Sequence, residues 1–355
     1  RPIMTNNHAH LWPGVPLALA SAALFGAAAP LSKLLMGSID PWLLAGILYL
    51  GAGSGLAIVH WGRPLIGLPT VEAPLQRADL PWLTAVVLFG GMLGPLLLML
   101  GLSQTSAASG SLLLNLEGLA TMAIAWIAFR ENVDRRLLIG AAAILAGALL
   151  LSWTGQSFRL DHGGLLIALA CLCWGIDNNL TRKLSSADPV QIALIKGLVA
   201  GSVNVAIAVF LGAALPAAGL VAAGALVGFF GIGVSLVMFI VALRHLGTAR
   251  TGAYYSLAPF IGAVLSVLLL SEPLTVTLVA AGGLMAVGLW LHLTERHVHD
   301  HTHAVLEHEH VHSHDAQHQH SHDGPVTEPH SHWHRHEVLT HRHAHFPDLH
   351  HRHEH

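Results

Sequence analysis

The sequence predicts an all-α integral membrane protein, with ten transmembrane helices forming two inverted five-helix repeats and a disordered histidine-rich C-terminal tail. Three observations carry that expectation. Of the 355 residues 53% are hydrophobic and only 10% are charged, against about 25% charged in soluble domains. Ten apolar segments reach the roughly 17–25 residues that a bilayer core requires. Beyond residue 293 the composition changes abruptly, and the tail holds 22 of the 28 histidines.

The apolar segments lie near 15–36, 41–61, 82–102, 107–129, 137–153, 163–181, 190–212, 219–243, 251–270 and 275–293. Their short connections make sequential helices antiparallel neighbours. The one sizeable inner loop, 62–81, carries Pro64, Pro69, Pro74 and Pro81. Positive charge sets the orientation. With the N-terminus in the cytoplasm, the inner loops hold Arg63, Arg77, Arg130, Arg135, Arg136, Arg182, Lys183, Arg244 and Arg250, and the outer loops hold only Lys33 and Arg159. Both termini are therefore expected in the cytoplasm of a bacterial inner membrane. Met4 is the expected start, and no cleavable signal peptide is expected. The chain divides into an N-terminal segment 1–14, a first repeat 15–153, a second repeat 154–293 and the tail 294–355.

The repeat shows in short matches that keep their order. Leu24-Phe25-Gly26 and Leu31-Ser32-Lys33-Leu34 resemble Cys173-Trp174-Gly175 and Leu180-Thr181-Arg182-Lys183. Phe89-Gly90 matches Phe230-Gly231, Glu131 matches Glu272, and Gly147-Ala148-Leu149 matches Gly288-Leu289-Trp290. An odd number of helices per repeat inverts the second copy, and inverted repeats mark secondary transporters with a binding site where the halves meet. On these residues the chain resembles the EamA-type drug/metabolite transporter superfamily over about residues 12–293. The resemblance implies a ten-helix fold with both ends inside, a central cavity, alternating access and a small-molecule substrate.

Ionisable groups inside a bilayer cost about 2.5–3.5 kcal/mol on insertion scales, so each asks for a reason. Glu117 falls near the middle of the fourth segment, with no partner evident in the sequence and with Asn115 and Thr121 close by. It reads either as a buried structural acid or as a site for a cationic group or an exchangeable proton, since burial favours the neutral form of a carboxyl. Asp177 and Lys196 lie at similar depths on adjacent helices and predict an ion pair, either a structural bridge or a gate touching substrate charge. Asn178, Asn179 and Asn204 add polarity there, as interhelical glue or as ligand contacts. Glu131 and Glu272 read as helix-end acids. Gly51–Gly55, Gly197–Gly201 and Gly224–Gly228 read as close-packing pairs, and Cys171 and Cys173 as small core residues without a disulfide.

The tail repeats His-x-His: His299, His301 and His303; His308, His310, His312 and His314; His318 and His320; His341, His343 and His345. Neutral imidazole binds Zn²⁺, Ni²⁺, Co²⁺ and Cu²⁺, so these are the candidate metal ligands; mild acidification would instead charge them. No cofactor is required by the rest of the chain. No Walker-type loop or soluble catalytic arrangement occurs, so enzymatic and nucleic-acid roles are not expected. The leading expectation is export of amino-acid-like metabolites through the lipid bilayer. The alternatives are divalent-metal efflux and a non-transporting membrane metal buffer.

Overall fold

A computed structural model of the chain describes residues 14–62, 75–129, 135–152, 161–181, 184, 188–246, 248–294, 297–303, 306–312, 330–336 and 339–345. The helices are α1 (Gly14–Leu35), α2 (Pro41–Gly62), α3 (Leu80–Val86), α4 (Gly94–Gln104), α5 (Ala107–Leu113), α6 (Leu116–Phe129) and α7 (Arg135–Leu151) in the first half. The second half holds α8 (His162–Thr181), α9 (Pro189–Phe210), α10 (Ala218–Gly228), α11 (Ser235–Leu246), α12 (Thr248–Tyr255), α13 (Ala258–Leu270) and α14 (Val276–Leu293). Several run into one another. A π-helical turn, Val87–Leu93, joins α3 to α4, and a second, Phe229–Val234, joins α10 to α11. Among the described residues, nine helical stretches are long and apolar enough to cross a membrane. The fifth predicted segment forms α7, whose 17 residues reach about 25 Å at 1.5 Å per residue.

Polar residues start these helices where the chain leaves the apolar zone. Asp40 accepts from the amides of Trp42 (2.9 Å) and Leu43 (3.1 Å) beside Pro41. Asp188 accepts from Val190 (2.8 Å) and Thr275 from Leu278 (3.1 Å). Each satisfies an amide that the first helical turn leaves free.

Lipid tails are as apolar as leucine, so helices associate through close packing rather than hydrophobic drive. The glycines supply that closeness. Along the α2–α9 crossing, a Cβ at Gly53 would lie 2.5 Å from the Leu198 nitrogen, and one at Gly201 2.5 Å from the Leu50 nitrogen. Gly288 meets the Gly140 carbonyl between α14 and α7, again at 2.5 Å. Between α4 and α8, Gly101 meets Gly163 and Ile167, Gly94 meets Trp174, and Gly90 meets Asp177. The two helices therefore run antiparallel, which sets Asp177 against the first π turn.

The tail departs from the expectation of disorder. Residues His297–His303 (β1) pair antiparallel with Leu339–His345 (β4), and Leu306–His312 (β2) with His330–His336 (β3). The reason is periodicity: His-x-His alternation is also the period of a strand. The registers set Asp300 opposite Arg342 and Glu307 opposite Arg335. His314, His318 and His320 lie outside the described residues.

Candidate functional site

The polar residues converge where α8 passes α6, α9 and the first π turn. A π turn inserts one residue into the helical ladder and frees carbonyls from their usual partners. The Gly90 carbonyl accepts from the Tyr49 hydroxyl at 3.0 Å and from the Trp174 indole nitrogen at 3.1 Å. The Met92 carbonyl accepts from the Asn204 amide at 3.3 Å. Side chains of α2, α8 and α9 thus hold the widened turn open, and this meets the demand that backbone groups within a membrane find partners in the protein.

Beside this turn Asp177 is 4% exposed. Lys196 donates to its Oδ2, and the Thr181 hydroxyl donates to its Oδ1 at 3.3 Å. The carboxylate fits only because residue 90 has no side chain; a Cβ there would overlap it. The next residue on α8, Asn178, turns toward α6. Its Nδ2 donates to Glu117 Oε1 at 3.0 Å and to Thr121 Oγ1 at 3.1 Å. Asn179 donates to the Thr121 and Gly175 carbonyls at 3.0 and 2.8 Å and fastens α8 to α6.

The result is a seam of alternating charge and amide: Glu117, Asn178, Asp177 and Lys196. Asn178 is exposed, and Glu117 and Lys196 are half-buried. Glu117 lies within electrostatic reach of Asp177 and Lys196. Two carboxylates face one ammonium group, so the fully ionised seam carries a net negative charge. In a low-dielectric setting such a surplus draws a cationic group strongly.

Two of the predicted residues stand apart from the seam. Asn115 sits in the interruption between α5 and α6, where Leu114, Asn115 and Glu117 make three-residue-spaced backbone bonds. Its Nδ2 caps the Leu112 carbonyl at 2.8 Å, and the Cys171 thiol donates to Leu113 at 3.6 Å. Asn204 serves the π turn. Sequence reasoning missed Tyr49, Trp174 and Gly90 as its supports; the Phe89-Gly90 match to Phe230-Gly231 was the available signal. It also left Glu117 without a partner, because a neutral amide such as Asn178 carries no charge signal to pair with it.

Glu272 belongs to the opposite end of the bundle. It follows Ser271, whose φ of 52° closes α13 in the left-handed region. Its carboxylate accepts from the amides of Ala107 (2.7 Å) and Ala108 (2.8 Å) at the start of α5. Lys33, expected in an outer loop, instead occupies the last turn of α1 and donates to the carbonyls of Leu102 and of Thr105, the latter at 2.8 Å. An acid on the amide end and a base on the carbonyl end complement the two helix dipoles. From Gly90 to Thr105 the helix rises about 22 Å, so this clamp lies far from the seam. Glu131 falls outside the described residues.

Among the described residues no group of three or more histidine, cysteine, aspartate and glutamate side chains comes together as a metal site. An apolar cleft of about 320 Å³, bounded by Leu24, Leu31, Leu226 and Phe230, shares no residue with the seam.

The model of the EamA-like transporter family matches residues 12–153 and again 162–294. The chain belongs to the EamA-like transporter family. A curated relative described as an uncharacterized transporter, from Methanothermobacter thermautotrophicus, is 28% identical over 296 residues, 79% of this chain and 86% of its own. Uncharacterized transporter YyaM of Bacillus subtilis is 23% identical over 181 residues, 48% of this chain and 59% of the relative. A solved crystal structure shares the fold at a TM-score of 0.57, with 17% identity, covering 79% of this chain and 95% of its own. The protein is thus a multi-pass membrane transporter, and the seam joins Glu117 of the first matched stretch to Asp177, Asn178 and Lys196 of the second.

Proposed function

We propose that this EamA-like protein is a secondary transporter that exports small amino-acid-like metabolites across the plasma membrane by alternating access. The observation that carries the reading is the seam: a carboxylate held by an exposed amide at Glu117–Asn178, beside the Asp177–Lys196 pair. Glu117 would receive the substrate's ammonium group, Asn178 would adjust to it, and Lys196 would answer a carboxylate. The reading takes the membrane portion as ten helices in two inverted five-helix halves, with both termini cytoplasmic. The excess of arginine and lysine on one set of loops supports that orientation, and the π turns at matching places in the two halves support the symmetry.

The histidines of the tail favour a second reading, efflux of a divalent metal such as Zn²⁺, Ni²⁺ or Co²⁺. Against it stands a seam in which one of only two carboxylates is already held by a lysine. Proteoliposomes separate the two readings. Flux of a labelled amino-acid panel is compared with flux of the three metals, with and without residues 297–355. Amino-acid flux that survives removal of the tail is expected. Metal flux alone, or metal binding with no flux of either class, would overturn the proposal.

A further inference from the structure

Where the start of α7 meets the end of α14, two arginines form a cationic corner that the transport seam does not use. Arg135 and Arg136 open α7, whose first turn holds no acid. That is the wrong end for a cation, because the helix dipole presents partial positive charge there. Arg135 is exposed and Arg136 half-buried, and neither has a carboxylate partner among the described residues. Arg136 is nonetheless held in place. Its guanidinium carbon stands 5.6 Å from the centre of the Trp290 ring, and its Nη2 donates to the Thr294 hydroxyl at 2.8 Å. His292 donates from Nε2 to the Leu137 carbonyl at 3.0 Å, and the Gly140–Gly288 contact draws the two backbones together. The corner is therefore preorganised.

Its depth indicates what it meets. Ile139 lies three residues from Arg136 and Val287 three from Trp290, so each pair shares a helix face, and Ile139, Val287 and Trp290 are all exposed. On a membrane protein such a surface faces hydrocarbon, and tryptophan marks its edge. The arginines follow within one helical turn, about 5 Å, at the level of lipid headgroups. The 17 residues of α7 reach about 25 Å, short of a hydrocarbon core of about 30 Å. A bilayer meets a short helix by thinning, which brings phosphates to the corner.

We propose that this corner binds the headgroup of an anionic phospholipid of the phosphatidylglycerol class, whose acyl chains run along Ile139 and Val287. Arg136 keeps N–H groups of its fork for phosphate oxygens, Arg135 adds a second charge, and the anion offsets two cations placed at a positive dipole end. A zwitterionic lipid fits less well, because its choline finds no acid among the described residues of the corner. This inference is independent of the cargo carried through the membrane.

Full-length protein in an uncharged detergent is titrated with phosphatidylglycerol, with phosphatidylcholine of the same chains and with inorganic phosphate, and bound lipid is counted by native mass spectrometry. Each arginine near anionic lipid contributes about fivefold in affinity. The wild type is therefore expected to hold one phosphatidylglycerol about 25-fold more tightly than phosphatidylcholine. Arg135→Gln alters only an exposed side chain and should narrow that preference to about fivefold; R135Q/R136Q should erase it. Arg136→Lys keeps the charge but loses the fork and the stacking on Trp290, so phosphatidylglycerol should weaken while phosphatidylcholine does not change. Arg77→Gln removes an exposed arginine just before α3 and should leave the preference intact. An equal loss in Arg77→Gln and Arg135→Gln would reduce the effect to net charge and overturn the site. So would a wild type without lipid preference, the outcome if Glu131 and Asp134 took up the arginines. Displacement of the lipid by inorganic phosphate would overturn the assignment to lipid in favour of a free anion.

Discussion

The two ends of the antiparallel α4–α8 pair treat charge in opposite ways. At the Lys33–Glu272 end, ionised groups terminate on backbone carbonyls and amides. At the Glu117–Lys196 end they terminate on one another and on a side-chain amide. Main-chain partners are fixed by the helices that carry them, so the first end is a clamp that changes only if helices move. Side-chain partners can be exchanged by rotation, so a ligand can compete for the second. The difference teaches where to look for solute: not wherever charge is buried, but where charge is satisfied by replaceable partners.

Three substitutions break or sharpen this contrast. The largest effect is expected from Lys196→Met, which strands the Asp177 carboxylate. Removing one partner of a buried pair costs about 3–5 kcal/mol, read as a lowered melting temperature in detergent. Adding Asp177→Asn should recover most of that stability but not flux; recovery of both would reduce the pair to a structural bridge.

Next comes Glu117→Gln. The fold should persist, since the amide can still hydrogen-bond Asn178. Amino-acid flux in proteoliposomes should drop roughly a hundredfold, the scale of losing a hydrogen bond to a charged group worth up to about 3 kcal/mol. Unchanged flux would move the binding site away from the seam. If its pH dependence were also unchanged, Glu117 would have no part in proton exchange.

The smallest effect belongs to Glu272→Gln. It keeps one of the two acceptor oxygens that serve Ala107 and Ala108, turns the other into a donor, and removes a charge complementing the α5 dipole, worth about 0.3–1 kcal/mol at a helix terminus and up to about 2 kcal/mol in a partly buried one. A melting point lowered by a few degrees is expected, with substrate affinity unchanged. Weakened substrate binding would link the clamp to the seam.

Much of the fold is legible in the sequence because bilayer thickness acts directly on length and composition. The segments around α1, α2 and α9 needed nothing more, and equal depth on adjacent helices was enough to pair Asp177 with Lys196. Interruptions inside the spans were not legible. A π turn such as Val87–Leu93 differs from an α-helix by one inserted residue and leaves hydropathy untouched. The break at Leu114–Asn115 likewise sits among leucines. Lys33 was counted with the outer-loop charges although it falls within the first apolar segment, 15–36, and nothing in the sequence pointed to the α4 carbonyls that receive it. In the tail, composition spoke for disorder, and the His-x-His alternation, which is also the period of a strand, went unread as a strand signal.

The two π turns share a position as well as a shape. They begin 142 residues apart, at Val87 and Phe229, within segments that each match the same family model. Apart from the shared Phe-Gly pair, Phe89-Gly90 and Phe230-Gly231, their sequences have drifted. The same widened turn thus stands at matching places in the two stretches that match the family model. Two different sequences, VLFGGML and FFGIGV, spell the same bend, so the bend belongs to the path of the backbone more than to the side chains that line it.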